Sequence, residues 1–150
     1  MRLNPECIRD IMLFCVDHTL VRDEYRVDDK DKICYAKFHI LQVDAMILYE
    51  PLSKYPFGEL TYHVIQLSEG GFLATDFTLD TKDRKEEFLA PAVYYVTPKG
   101  YDFVAATSEK KQWEKAKSIL SKAGSISLSV LEQVAIGLAT ATVNQLMGKG

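Results

Sequence analysis

The chain is poor in the residues that chemistry usually needs. Its 150 residues include only three histidines and three cysteines. His18, His39 and His63 form no HxxxH or CxxH pattern, and Cys7, Cys15 and Cys34 contain no CxxC pair. Paired zinc ligands are therefore missing. No GxSxG elbow presents a nucleophilic serine. The glycine pair Gly70-Gly71 closes a helical pattern instead of opening one, which argues against a phosphate cradle. Asp28, Asp29 and Asp31 crowd one segment, but the central glycine and terminal glutamate of a calcium loop are absent. A non-enzymatic protein is expected, with no catalytic residues, no metal and no cofactor. A dominant charge is lacking too: 18 basic and 21 acidic residues leave a net −3, which gives no overall pull toward nucleic acid or an anionic membrane. The first ten residues, MRLNPECIRD, are charged and hold no apolar h-region, so no secretory signal is expected. A cytoplasmic protein with reduced thiols is the reading.

What is present suits one globular domain: 47% hydrophobic and 26% charged residues on a length that supports one core. The charges are unevenly placed. Residues 1–90 hold 11 basic and 17 acidic side chains, whereas residues 91–150 hold 7 and 4. Asn4 and Pro5 predict a helix start, and Ile8, Ile11, Met12 and Cys15 follow at helical spacing. The charged segment Val21 to Lys32 reads as an exposed loop. Cys34 to Leu41 alternates as a half-buried strand. Val43 to Tyr55 suits strand or helix, with Pro51 interrupting either, and a short helix ending around Lys54 is favoured. Pro56 to Glu69 forms a further helix with Leu60, Val64 and Leu67 as its stripe. Phe72 to Leu79 and Ala92 to Val96 read as strands around the charged loop Asp80 to Glu87. Thr97 and Pro98 start another helix, Ser108 to Ala123 a lysine-rich one, and Ser125 or Ser127 a last one reaching Met147.

This order predicts an α+β fold, a winged helix-turn-helix with a small β-wing over residues 1–107, followed by a C-terminal helical arm over 108–150. Three segments strengthen that reading: LNPECIRDIMLF, YPFGELTYHVIQLSEGGFL, and YVTPKGYDFV with Trp113 and GSISLSVLEQVA. Through them the chain resembles a family of uncharacterised, often prophage-encoded bacterial proteins of the domain-of-unknown-function kind. The resemblance spans most of the length apart from Val21 to Glu50. It implies a winged-helix-like fold and a phage context, and it brings no catalytic residues.

A winged helix suggests double-stranded DNA as a partner, yet the third helix argues against a simple reader. Its expected exposed positions Glu59, Thr61, Tyr62, His63, Gln66 and Glu69 include no Arg or Lys, which phosphate and base contacts favour. Contacts to nucleic acid or to another protein would fall to Lys54, Tyr62, His63 and Gln66, to Lys82, Arg84 and Lys85 of the wing, and to Lys110 and Lys111. For His63 a helix-surface or partly buried role stands beside the contact role. The arm is charge-free from Gln133 to Met147. Three readings of it stay open: packing on its own domain, pairing with a second subunit through Leu131, Val134, Leu138 and Ala141, or touching membrane, the least favoured because the stretch is short for a span. The function read from these features is a phage-type accessory or regulatory protein that binds DNA through its winged helix, or else a protein-interaction or assembly module that does not bind DNA.

Overall fold

The computed structural model describes residues 1–19, 21–27, 32–38, 41–80 and 88–148. Helix α1 (Pro5–His18) starts where Asn4 and Pro5 predict. The Asn4 side chain accepts from the Glu6 and Cys7 amides at 3.1 and 3.4 Å, which satisfies two donors that a helix start leaves open. Cys7, Ile8, Ile11, Met12 and Cys15 are all fully buried, so α1 runs through the middle of the core.

Strands β1 (Val21–Val27) and β2 (Lys32–Phe38) pair antiparallel as a separate two-stranded sheet, with Val21 opposite Phe38 and Val27 opposite Lys32. The expected loop over Val21 to Lys32 is thus corrected: its first seven residues are strand. The alternation of Val21, Tyr25 and Val27 with Arg22, Glu24 and Arg26 carries the two-residue period, and the high charge content concealed it. Strand β3 (Leu41–Gln42) belongs to a different sheet from β2, so the single strand expected over Cys34 to Leu41 is two elements.

Helix α2 is one turn, Val43–Met46, and a 3-10 turn spans Leu52–Lys54. The short helix expected to end around Lys54 is two separate turns, parted by Pro51, which has no N–H to donate and whose ring crowds the preceding turn. Helix α3 (Phe57–Glu69) follows and closes at Gly70 and Gly71, the latter at φ +83°, a conformation that favours glycine.

Strands β4 (Leu73–Asp80) and β5 (Phe88–Val96) are antiparallel, with Leu73 opposite Val96 and a bulge at Ala74/Thr75. β3 pairs with the other side of β5, giving the order β3–β5–β4. Most of the expected loop Asp80 to Glu87 lies outside the described residues; Asp80 itself ends β4.

Helix α4 (Pro98–Thr107) is capped by Thr97, whose hydroxyl accepts from the Gly100 amide. Gly100 is required by crowding: a Cβ there would lie 2.3 Å from the Phe72 carbonyl oxygen. At the other end, Arg9 of α1 donates to the Thr107 and Ser108 carbonyls at 2.7 and 3.0 Å, closing the helix with a cation. Helix α5 (Lys110–Leu120) buries Trp113, Ala116 and Leu120, and α6 (Leu128–Gly148) buries Leu131 and Ala135. The Ser127 hydroxyl accepts from the Val130 amide, so Ser127 is the cap of the last helix. These residues join α1, α3 and the sheet in one apolar cluster. The fold is mixed α+β, mostly helical, with a small three-stranded antiparallel sheet.

Candidate interaction surface

Helix α3 holds three of the residues that sequence singles out, Tyr62, His63 and Gln66, and its sides do different things. Leu60, His63, Val64 and Leu67 recur at i, i+3, i+4 and i+7 and are fully buried. His63 was expected among the exposed positions, and that expectation is corrected. Its Nδ1–H donates to the Glu59 carbonyl at 2.8 Å, while Nε2 accepts the Asn4 backbone N–H at 2.9 Å. The neighbouring groups thereby fix a neutral ring with the hydrogen on Nδ1. Burial holds the His63 pKa below its usual value, partly offset by the Glu59 carbonyl and carboxylate. The Asn4 side chain donates to Glu59 Oε1 at 2.9 Å, so one asparagine caps α1 and ties it to α3.

Cys7 joins this group: potential donor atoms of Cys7, Glu59 and His63 lie within 4.8 Å of one another. The chemistry of the set is that of a hydrogen-bonded joint. Both ring nitrogens are engaged with backbone groups, and burial, aided by the Glu59 and Asp10 charges, pushes the thiol up to about 12. Ligation of a cation would require the imidazole to release the Asn4 amide, and a thiolate to form against that shift.

On the outward side of α3, the helical period sets Gly58, Tyr62, Ile65 and Glu69 opposite the buried stripe. Tyr62 and Gln66 are half-buried because they border a cleft of about 670 Å³ shared with Met1–Leu3 and the Leu120–Leu128 segment. Lys54 is exposed but paired with Asp10 at 3.3 Å, and Tyr55 donates to the same carboxylate oxygen at 2.6 Å. Thus no Arg or Lys stands on α3, and the cation just before it is engaged. Lys110 and Lys111 are exposed at the start of α5, with Lys115 and Lys122 exposed further on. Lys117 of that helix bridges Glu6 and Glu114 instead. Lys82, Arg84 and Lys85 lie outside the described residues. The structure therefore brings Tyr62 and Gln66 together and sets Lys54 and His63 apart in separate internal pairings.

A family model described as Hypothetical protein (DUF2513) matches residues 2–127. The chain belongs to this family. No curated protein and no solved structure matches the chain. The DUF2513 region includes Val21 to Glu50, which the sequence resemblance left out, and it ends at the residue that caps α6.

Beyond the DUF2513 match, α6 packs on both α4 and α5. Lys99 meets Glu132 at 3.4 Å, and Gln112 donates to the Thr142 hydroxyl at 2.9 Å. Of the four residues named for self-association, Leu131 is fully buried and cannot meet a second subunit; its side chain is spent on the core. Val134 and Leu138 are half-buried against that core, and Ala141 is exposed. Val143, Leu146 and Met147 are instead the exposed large apolar residues of α6. Among the described residues, no helix is long and apolar enough to cross a membrane. Sequence reasoning missed Asn4 and Glu59 as partners of His63; the i, i+3, i+4, i+7 recurrence of His63 with Leu60, Val64 and Leu67 was the available signal.

Proposed function

We propose that this DUF2513 chain is a non-enzymatic accessory or regulatory module of phage type, built on a winged-helix plan and used to bind another protein. Support for the winged-helix plan comes from α1, β3, α2, α3, β4 and β5 in that order, with strand order β3–β5–β4 and the β1–β2 hairpin as an insertion. The observation that carries protein over DNA is the outward side of α3. It offers Gly58, Tyr62, Ile65 and Glu69, and a helix seated in a major groove needs cations and amides there.

A second reading is favoured by one feature. The exposed lysines Lys110, Lys111, Lys115 and Lys122 on and just after α5, together with Lys82, Arg84 and Lys85, would suit phosphate contacts without base readout. Gel mobility of a random DNA duplex with micromolar protein at about 50 mM salt separates the two. The protein-binding reading expects unchanged mobility. A shift that weakens steeply with salt and disappears on reversing Lys110 and Lys111 overturns it in favour of DNA. Self-association through the exposed Val143, Leu146 and Met147 belongs to the same proposal. Light scattering on the full chain tests it, and a monomer at all concentrations removes it.

A further inference from the structure

The cleft beside α3 has a composition unlike the chain that surrounds it. Leu3, Leu120, Ile126 and Leu128 give it an apolar floor. Arg2 is the single charged side chain of its lining, beside the Met1 α-amino group, and no Asp or Glu contributes, although the chain has 21 acidic residues. Two of its serine hydroxyls are engaged, Ser121 with the Ser118 carbonyl and Ser127 with the Val130 amide. The Arg2 guanidinium, the Tyr62 hydroxyl, the Gln66 amide and the Ser125 hydroxyl form no hydrogen bond or ion pair among the described residues. Four polar groups without a partner among the described residues thus belong to the lining of one cleft with an apolar floor. The volume, about 670 Å³, lies within the range of about 300–1,000 Å³ found for ligand sites.

We propose that this cleft receives a short extended segment of a partner protein in which acidic and apolar side chains alternate. Charge complementarity selects the acidic member: a carboxylate finds in Arg2 a bidentate partner with no competing anion in the lining. The leucine and isoleucine floor takes the apolar members, and Gln66 and Tyr62 suit the peptide groups between them. The Arg2 guanidinium and the Met1 α-amino group are too few cations for a polyanionic backbone, whose affinity is built from many phosphate contacts. The inference rests on the protein-binding reading above and gives it an address.

The test is a titration of the ¹⁵N-labelled full chain with an acetylated, amidated Leu-Glu-Leu-Glu-Leu peptide, followed by backbone amide shifts. Shifts are expected at Arg2, Tyr62, Gln66, Gly124 and Ser125, with none from the counterpart carrying Lys for Glu. Arg2→Glu is expected to weaken binding about tenfold while the rest of its spectrum stays native, since Arg2 is exposed. Absence of shifts at millimolar peptide, equal shifts from the lysine peptide, or unchanged affinity in Arg2→Glu each overturn the assignment. If the peptide fails and duplex DNA also fails to bind, the cleft is removed and protein binding by another face survives. If duplex DNA binds, the broader reading falls by its own test.

Discussion

Acid should loosen the joint between α1 and α3, and His63 should carry a measurable part of that loss. The neutral ring accepts the Asn4 amide through Nε2 and donates through Nδ1 to the Glu59 carbonyl. Protonation puts a hydrogen on Nε2, so two donors face each other in a site without solvent. His63 therefore has a lower pKa folded than unfolded, where it stands at 6.5. The unfolded chain then takes up the proton first. The stabilising contribution is complete above about pH 6.5 and is lost as pH falls toward the folded value, by up to about 1.4 kcal/mol per pH unit. Between pH 6.5 and 5.5 the linkage relation caps the loss from this residue at about 1 kcal/mol, reached only where the folded ring takes up no proton. The assay is urea unfolding of the wild type and of His63→Gln across pH 8 to 5. Glutamine keeps one acceptor and two donors but does not titrate, so its stability should fall less steeply below pH 6.5. His63→Leu leaves the Asn4 amide unpaired and should cost about 1–3 kcal/mol at every pH. Parallel curves for wild type and His63→Gln would refute the reasoning, because the acid loss would then belong to other groups.

Gly100 of α4 and Gly137 of α6 should respond to alanine with opposite signs in thermal melts. Gly100→Ala drives a Cβ against the Phe72 carbonyl and should destabilise by about 1–3 kcal/mol, whereas Gly137→Ala meets nothing within 4 Å and should stabilise by about 0.5–1 kcal/mol. Leu131→Ala removes a fully buried side chain and should cost about 2–5 kcal/mol by chemical denaturation; a cost below 1 kcal/mol would show that α6 is not seated in the core. The Thr61 hydroxyl is buried without a partner among the described residues. Thr61→Val, of the same shape, should therefore leave stability unchanged or raise it by about 1 kcal/mol in the same assay.

Local punctuation was the most legible part of the fold. Asn4-Pro5, Thr97-Pro98, Ser127 and Gly70-Gly71 stand at helix ends as their side chains and backbones demand. Where several residue classes compete, the pattern misleads. Val21–Val27 alternates as a strand, yet its charges read as loop. The apolar content of Val43 to Tyr55 suits strand and helix alike, and the segment forms two short turns on either side of Pro51. The candidate surface was less legible, because exposure is a tertiary property. Tyr62 and His63 are adjacent, but about 100° of helical rotation sends one to the cleft and the other to the core. The arm is apolar all round, so periodicity could not say that Leu131 faces inward while Val143, Leu146 and Met147 remain outside.

The seating of Leu131 and Ala135 among the buried side chains of the DUF2513 region has a practical consequence. A chain shortened at Gly124, close to the end of the family match, would bare the surfaces of α4 and α5 that α6 covers. Its behaviour in light scattering would then report unfolding and clumping of an uncorked core, not the loss of a dimer contact. Dissecting self-association needs point changes on the outer rim instead. Val143→Ser, Leu146→Ser and Met147→Ser alter what a neighbour would touch and leave the plug in place.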